Sequence, residues 1–394
     1  MTDSPASPSP LSTADGASLP EDNALVARIA GRVAANGGWL PFDDFMAEAL
    51  YAPGLGYYSG GHRIFGLGPE GGSDFVTAPE LSPFFGRTLA VQVREALAAS
   101  GSDRVWEFGA GSGALAEQLL EALDADDADD DGVLRVQVDL TIVELSGALR
   151  ERQQARLARF APRVRWLDAW PDRIEGVVVG NEVLDAMPVK LLHRAAGRWH
   201  ERGIVDLADP TAAARAAVPD NDGSHRFAFA DLASPFALEG ETQAAGALMD
   251  GFFIDGTVTE IHPIAESFVA SLADRLVRGV ALLIDYGFPE HEYYHPQRLG
   301  GTLMCHQAHR ADGDPLVAIG DKDITAHVNF SGIALAAQEA GLTVLGYTSQ
   351  ARFLINCGLV DLLAAASVGE RANAQKLVNE HEMGELFKVI ALAR

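Results

Sequence analysis

Glu107-Phe108-Gly109-Ala110-Gly111-Ser112-Gly113 places a carboxylate two residues ahead of three glycines at alternate positions. Glycines spaced in this way let a chain turn tightly and let a ligand approach the backbone. An apolar run, Val105-Trp106, precedes them, and the helix-like Ala114-Leu115-Ala116-Glu117-Gln118-Leu119-Leu120 follows. Strand, glycine turn and helix form the nucleotide-binding corner of an open α/β sheet, where free N–H groups at the helix start face the ligand. Gly109-Ala110-Gly111-Ser112-Gly113-Ala114 also satisfies the dinucleotide fingerprint with alanine last, so an NAD-dependent oxidoreductase is the alternative. Glu107 weighs against it. A carboxylate so near repels a pyrophosphate and attracts the amino and sulfonium groups of S-adenosylmethionine.

A second acid, Glu144, ends the apolar run over residues 136–143. A carboxylate at that strand end can accept from both ribose hydroxyls, a role that NAD enzymes share; the alternative is a solvated strand-end acid. The elements that must position these groups follow from apolar patterning. Short apolar or β-branched runs predict strands at 105–108, 136–143, 164–166, 177–179, 280–284, 342–347 and 387–391. Helices are expected at 24–35, 42–50, 85–99, 147–160 and 264–277. Buried parallel strands alternating with helices give a doubly wound, mostly parallel α/β sheet of seven strands. Residues 190–260 differ: short runs at 199–205, 227–229 and 258–261 read as an antiparallel insertion after the fourth strand, placed to cap the substrate side.

Composition bounds the partners. The chain of 394 residues carries 55 acidic and 30 basic side chains, a formal net charge of -25. Such a field disfavours nucleic acid and draws in cations. Asp124, Asp126, Asp127, Asp129, Asp130 and Asp131 lie in what reads as a solvated loop. Two distant cysteines, Cys305 and Cys357, suit a reducing compartment. No apolar run approaches the roughly 20 residues that span a bilayer, so stable membrane insertion is not expected. Residues 1–20 are rich in Ser, Pro and Ala and hold no Lys or Arg. They read as part of a disordered tail over 1–23, with the cytoplasm as the expected location.

Several further motifs stand in one order with the glycine loop. They are Asp74-Phe75-Val76-Thr77-Ala78-Pro79-Glu80, Val143-Glu144-Leu145-Ser146, Asn181-Glu182-Val183-Leu184-Asp185-Ala186-Met187-Pro188, Ile284-Asp285-Tyr286-Gly287 and Asp323-Ile324-Thr325-Ala326-His327-Val328-Asn329-Phe330. Together they resemble the MidA-like family of class I S-adenosylmethionine-dependent methyltransferases, on its bacterial side. The resemblance covers roughly residues 39–393. It implies a Rossmann-like methyltransferase domain over 101–394, interrupted at 190–260, behind a helical N-terminal region at 24–100. It further implies S-adenosylmethionine as cofactor, S-adenosylhomocysteine as product, and a protein substrate methylated on arginine, as the mitochondrial members do to a respiratory complex I subunit. A homodimer and a non-catalytic assembly factor that only binds the cofactor are left open.

The implied cofactor set is Glu107, Gly109, Ala110, Gly111, Gly113, Glu144, Leu145, Ser146, Asp168, Ala169 and Asn181, with Phe75, Thr77 and Pro79 closing from the N-terminal side. Asp168 ends the third strand, where an acid can accept from the adenine amino group or cap a helix. Asn181, Glu182 and Asp185 follow the fourth strand, at the post facing methyl group and acceptor. Glu182 and Asp185 are three apart and share a face on a helical turn. Two carboxylates can hold a guanidinium fork and take its proton; the alternative is a helix cap beside a surface acid. Asp285-Tyr286-Gly287 either lines the acceptor channel or caps its strand. His309, His327 and Asn329 read as substrate-side wall or structural hydrogen-bonders, with no metal-ligand spacing.

Overall fold

The computed structural model describes residues 23–60, 76–125, 137–212, 225–233, 253–307 and 309–394. The expected N-terminal tail, Phe75 and most of the aspartate-rich loop lie outside them. Seven strands form the central sheet: β1 Arg104–Phe108, β2 Asp139–Val143, β3 Val164–Leu167, β4 Ile174–Asn181, β5 Leu276–Phe288, β6 Thr343–Ser349 and β7 Phe387–Ala393. Their spatial order is β3-β2-β1-β4-β5-β7-β6, and a two-residue strand, Val328–Asn329, adds to the end of β5. Strands β1 to β5 run parallel, whereas β7 enters antiparallel between β5 and β6. The chain order reverses between β1 and β4, and ligands bind at the carboxyl ends of strands beside such a switch.

Period-two alternation explains why these short runs are apolar throughout. Val177 and Val179 of β4 enter one core, with Val105, Leu140 and Leu282. Val178 points the other way, into a second core with Trp106, Phe108 and Leu283. Helices α3 (Phe84–Ser100) and α4 (Ala114–Ala125) supply Leu89, Val93, Leu115 and Leu119 to the first face. Helices α6 (Pro263–Arg275) and α7 (Phe330–Glu339) supply Val269, Leu272 and Ile333 to the second. The helix expected over 147–160 stops earlier: α5 spans Gly147–Arg156, followed by a single 3-10 turn at Ala158–Phe160. Strand β5 is far longer than its apolar kernel: its start, Leu276–Gly279, pairs with Ile174–Gly176 of β4, and its end, Gly287–Phe288, pairs with Val328–Asn329.

A third core stands apart from the sheet. It joins Leu25, Ile29 and Val33 of α1 (Ala24–Ala35) and Phe42, Phe45 and Met46 of α2 (Phe42–Tyr51) to Leu191, Ile204 and Phe227 of the insertion. The insertion is the antiparallel sheet expected, with strands Lys190–Ala195, Arg198–Asp206, Phe227–Leu232 and Val258–Ile261. Leu40–Pro41 adds to its edge, so α1 and α2 are built onto it. Among the described residues no helix is long and apolar enough to cross a membrane.

Candidate active site

A cavity of about 740 Å³ opens at the carboxyl ends of β1, β2 and β4. Its floor is the glycine loop. Gly109 and Gly111 have φ of 64° and 54°, the left-handed region where a side chain is strained. A Cβ on Gly109 would also lie 3.1 Å from Val183 Cγ2. Ser112 and Glu80 are hydrogen-bonded, and Arg156 joins both, donating to Glu80 at 3.1 Å and to the Ser112 hydroxyl at 2.7 Å. Gln118 of α4 donates to Pro79 O at 2.7 Å. These contacts fasten the segment carrying Thr77 and Pro79 against the loop, and both residues line the cavity.

Two acids stand at this end. Glu107 is 2% exposed, and its Oε2 has no hydrogen-bond partner. Burial, and then the neighbouring Glu144, push its carboxyl up to about 8. Glu144 is held rather than solvated: Ser146 N–H donates to Oε1 at 2.8 Å and Gln153 Nε2 to Oε2 at 3.0 Å. Gln153 also donates to Gly111 O at 2.9 Å, tying the second acid to the loop. Burial raises the Glu144 carboxyl, and these donors oppose the rise.

The segment after β4 is not the helical turn that the spacing of Glu182 and Asp185 suggested. Glu182 has φ of 55°, and the chain folds around the buried carboxylate of Asp285. Asp285 Oδ2 accepts from the N–H groups of Val183, Leu184 and Asp185 at 3.1, 2.9 and 3.2 Å. Asp285 therefore braces the turn and does not line the cavity, whereas Asn181, Glu182 and Asp185 all do. Asn181 Nδ2 donates to Glu182 Oε1 at 2.9 Å, while Asn181 Oδ1 and Asp185 Oδ1 are buried without partners. Burial, then Asp185, push Glu182 up to about 8, against donors from Asn181 and the Ala78 backbone. Asp185 is pushed up to about 6 by burial, with the Tyr286 hydroxyl bond opposing the shift.

In the third wall only Asp323, the first residue of the motif over 323–330, stood out in the sequence, and without a site role. Tyr51 of α2 and Tyr58 of the following loop stack with ring centroids 5.4 Å apart and an interplanar angle of 18°. Tyr51 OH donates to Ala186 O at 2.7 Å, and Tyr58 OH to Asp323 Oδ1 at 2.9 Å. All three of these side chains line the cavity. Trp170 and Phe268 complete the lining, packed on Phe108 with centroids 4.8 and 5.5 Å away. The sequence signals for these groups were three aromatics in a turn-rich loop, a tryptophan just past the third strand and the motif that opens with Asp323.

Of the other expected site residues, Ala110, Leu145, Ser146 and Ala169 line the cavity. Gly113 and Asp168 do not: Gly113 faces Gln153, and Asp168 is exposed. No described residue between 190 and 260 lines it either. The described residues of the insertion reach the site indirectly, as the platform for the segment bearing Tyr51 and Tyr58. His327 stacks on Phe288 at 5.2 Å, and Asn329 caps α7. Among the described residues no group of three or more His, Cys, Asp or Glu is arranged to hold a metal ion. Among the described residues the lining includes Glu107, Glu144, Glu182, Asp185 and Asp323 and not one Lys, Arg or His. A wall of this kind suits a ligand that is cationic and rich in donors.

Residues 88–348 match the sequence model of a family described as "Putative S-adenosyl-L-methionine-dependent methyltransferase". The chain belongs to that family. A solved structure from Burkholderia thailandensis, bound to S-adenosyl-homocysteine, is 50% identical, with a TM-score of 0.84 over 98% of this chain and 95% of that one. Two curated relatives are more distant. The "Protein arginine methyltransferase NDUFAF7 homolog, mitochondrial" of Drosophila melanogaster is 27% identical over 90% of this chain and 82% of its own length. The "Protein arginine methyltransferase NDUFAF7, mitochondrial" of Mus musculus is 28% identical over 89% and 80%. Membership sets aside the oxidoreductase alternative and makes S-adenosylmethionine the cofactor of this methyltransferase. Its residues fit that cofactor. The left-handed glycines leave the loop backbone open to a ligand, and the unpartnered Glu107 Oε2 suits a cationic group.

Proposed function

We propose that this methyltransferase modifies a protein nitrogen, and that the nitrogen belongs to an arginine side chain. One observation carries the proposal: the described residues wall the cavity with carboxylates and unpartnered acceptors and bring no cation to it. In this reading Glu144 takes the ribose hydroxyls, Glu107 faces the cationic amino-acid end of the cofactor, and the glycine loop passes beneath it. The cofactor, when bound, supplies an activated methyl group on a cationic sulfur. The protein's part is alignment, exclusion of water and removal of one proton.

Asn181, Glu182 and Asp185 are the groups that would meet the acceptor. A guanidinium offers five N–H donors in one plane, enough to satisfy Asn181 Oδ1 and Asp185 Oδ1 together. Its charge lowers the carboxyl pKa values of Glu182 and Asp185, so binding ionises them. Asp185 Oδ1, accepting from the guanidinium, then takes the proton that the nitrogen sheds as it is methylated. The names of the curated relatives support arginine as the acceptor. The motif resemblance extends this to a respiratory complex I subunit as the protein substrate.

The test is incubation of the purified protein with methyl-labelled cofactor in extract from a strain lacking its gene. Hydrolysis and mass spectrometry then identify the labelled residue. Methylarginine is the expected product. Label on lysine, on a carboxylate or on a small molecule would overturn the arginine assignment. Cofactor binding without any transfer would mark a non-catalytic binder.

A further inference from the structure

Tyr51, Tyr58 and Asp323 lie outside the central sheet, on α2, on the loop after it and on the short strand Asp323–Thr325. Nothing about the glycine loop requires them, yet they form a continuous part of the cavity wall. Each phenol donates its proton inward to the protein, Tyr51 to Ala186 O and Tyr58 to Asp323 Oδ1. Tyr51 is 40% exposed, whereas burial, and then Asp323, push the Tyr58 phenol well above its ordinary range. What the wall offers a ligand is therefore ring surface, phenol lone pairs and one carboxylate, beside the unpartnered Asp185 Oδ1. Tyr51 hangs on the carbonyl of Ala186, the residue next to Asp185, so wall and post are mechanically joined.

We propose that Tyr51, Tyr58 and Asp323 form the specificity-determining wall of the acceptor pocket, shaped for a planar guanidinium in preference to an ammonium. The proposal rests on the arginine reading above and adds the residues that enforce it. Guanidinium is flat, weakly hydrated, stacks on aromatic rings and spreads its donors across a plane. A lysine ammonium is compact, strongly hydrated and has three donors around a point. Stacked rings edged by a carboxylate match the first cation and leave the second without full replacement of the water it sheds.

Methylguanidinium and methylammonium, as competitors in the labelled-extract assay, probe the wall directly. Methylguanidinium is expected to inhibit the parent enzyme at least about tenfold more strongly than methylammonium. Tyr58→Phe keeps the ring but loses the bond to Asp323, and Asp323→Asn keeps the shape but loses the charge. Each should cut the preference below about threefold and raise the half-saturating amount of extract about tenfold. S-adenosylhomocysteine affinity should stay within about threefold, which also certifies the fold. Unchanged selectivity in both variants overturns the proposal while leaving arginine methylation standing. Parallel loss of cofactor affinity and activity overturns it too, by making the wall merely structural. If the parent labels a residue other than arginine, the arginine reading itself fails, before the wall is in question.

Discussion

At the glycine-loop end of the cavity, Glu107, Gly109, Gly111 and Glu144 sit on two neighbouring strands and the turn between strand and helix. Their positions follow from local backbone geometry, braced by short-range bonds such as Ser146 N–H to Glu144. The other end is assembled from afar. Tyr58 and Asp323 bond across 265 positions of chain, Tyr51 and Ala186 across 135, and Asp285 braces Val183 across 102. The contrast teaches that one cavity can have a rigid end fixed by a contiguous motif and an end that exists only once three cores have packed. Cofactor affinity should depend on the first and turnover on the second.

Separation of turnover from affinity is the strongest way to break this comparison. Asp185→Ala should lower methyl transfer by about 100-fold or more, as lost positioning commonly does. S-adenosylhomocysteine affinity should change less than about tenfold. Comparable loss of both would place Asp185 at the cofactor end and dissolve the distinction.

The converse experiment uses the other end. Charge-assisted hydrogen bonds are worth roughly 1.5–3 kcal/mol, so Glu144→Ala should weaken S-adenosylhomocysteine binding by about 10- to 100-fold. Saturating cofactor should then restore most of the turnover. Calorimetry that finds the affinity unchanged would remove Glu144 from the cofactor end.

A pH titration sharpens the comparison further. Glu107 and Glu182 are both pushed up to about 8, from an ordinary glutamate value of 4.5. The folded, ligand-free protein thus keeps two protons that the unfolded chain releases, so its stability falls as pH rises from about 5 to about 8. Differential scanning should show a declining melting temperature over that window. Cofactor affinity should move oppositely, rising by up to about tenfold per pH unit for each carboxylate that must ionise, and levelling above about 8. Glu107→Gln should flatten the affinity profile and leave the Glu182 part of the stability profile. A melting temperature that climbs through this window would contradict the sign.

The smallest effect belongs to Asp168. It follows directly on β3 but is exposed and outside the cavity lining. Asp168→Ala should change S-adenosylhomocysteine affinity by less than about threefold, within the usual range for an exposed site. A larger loss would mean that the adenine end extends beyond the cavity wall.

Legibility in the sequence divided along the same line. The strands, their parallel burial and the α/β class could be read because each rests on a short window of apolar residues and turn-forming glycines. Helix α1 was legible to its ends, since Asn23 caps it and Leu25, Ile29 and Val33 face one way. Glu107 and Glu144 could be located because a strand that ends in an acid beside a glycine turn places that acid at the sheet's carboxyl edge. Glu182 and Asp185 could be picked out, but not their shape. Helical spacing is a local rule, and here the backbone instead satisfies its N–H groups on Asp285, a residue delivered by the neighbouring strand.

No local rule reaches Tyr51, Tyr58 or Asp323. Their presence in the cavity depends on α1 and α2 packing on the insertion, and on a hydrogen bond between chain segments hundreds of residues apart. The same holds for the insertion, which as a sequence reads like a cap, while its described residues support α1 and α2 and do not line the cavity. Local conformational preference and side-chain periodicity are written in neighbouring residues. Which distant acceptor a buried hydroxyl or amide must find is settled only when burial removes the water that would otherwise satisfy it.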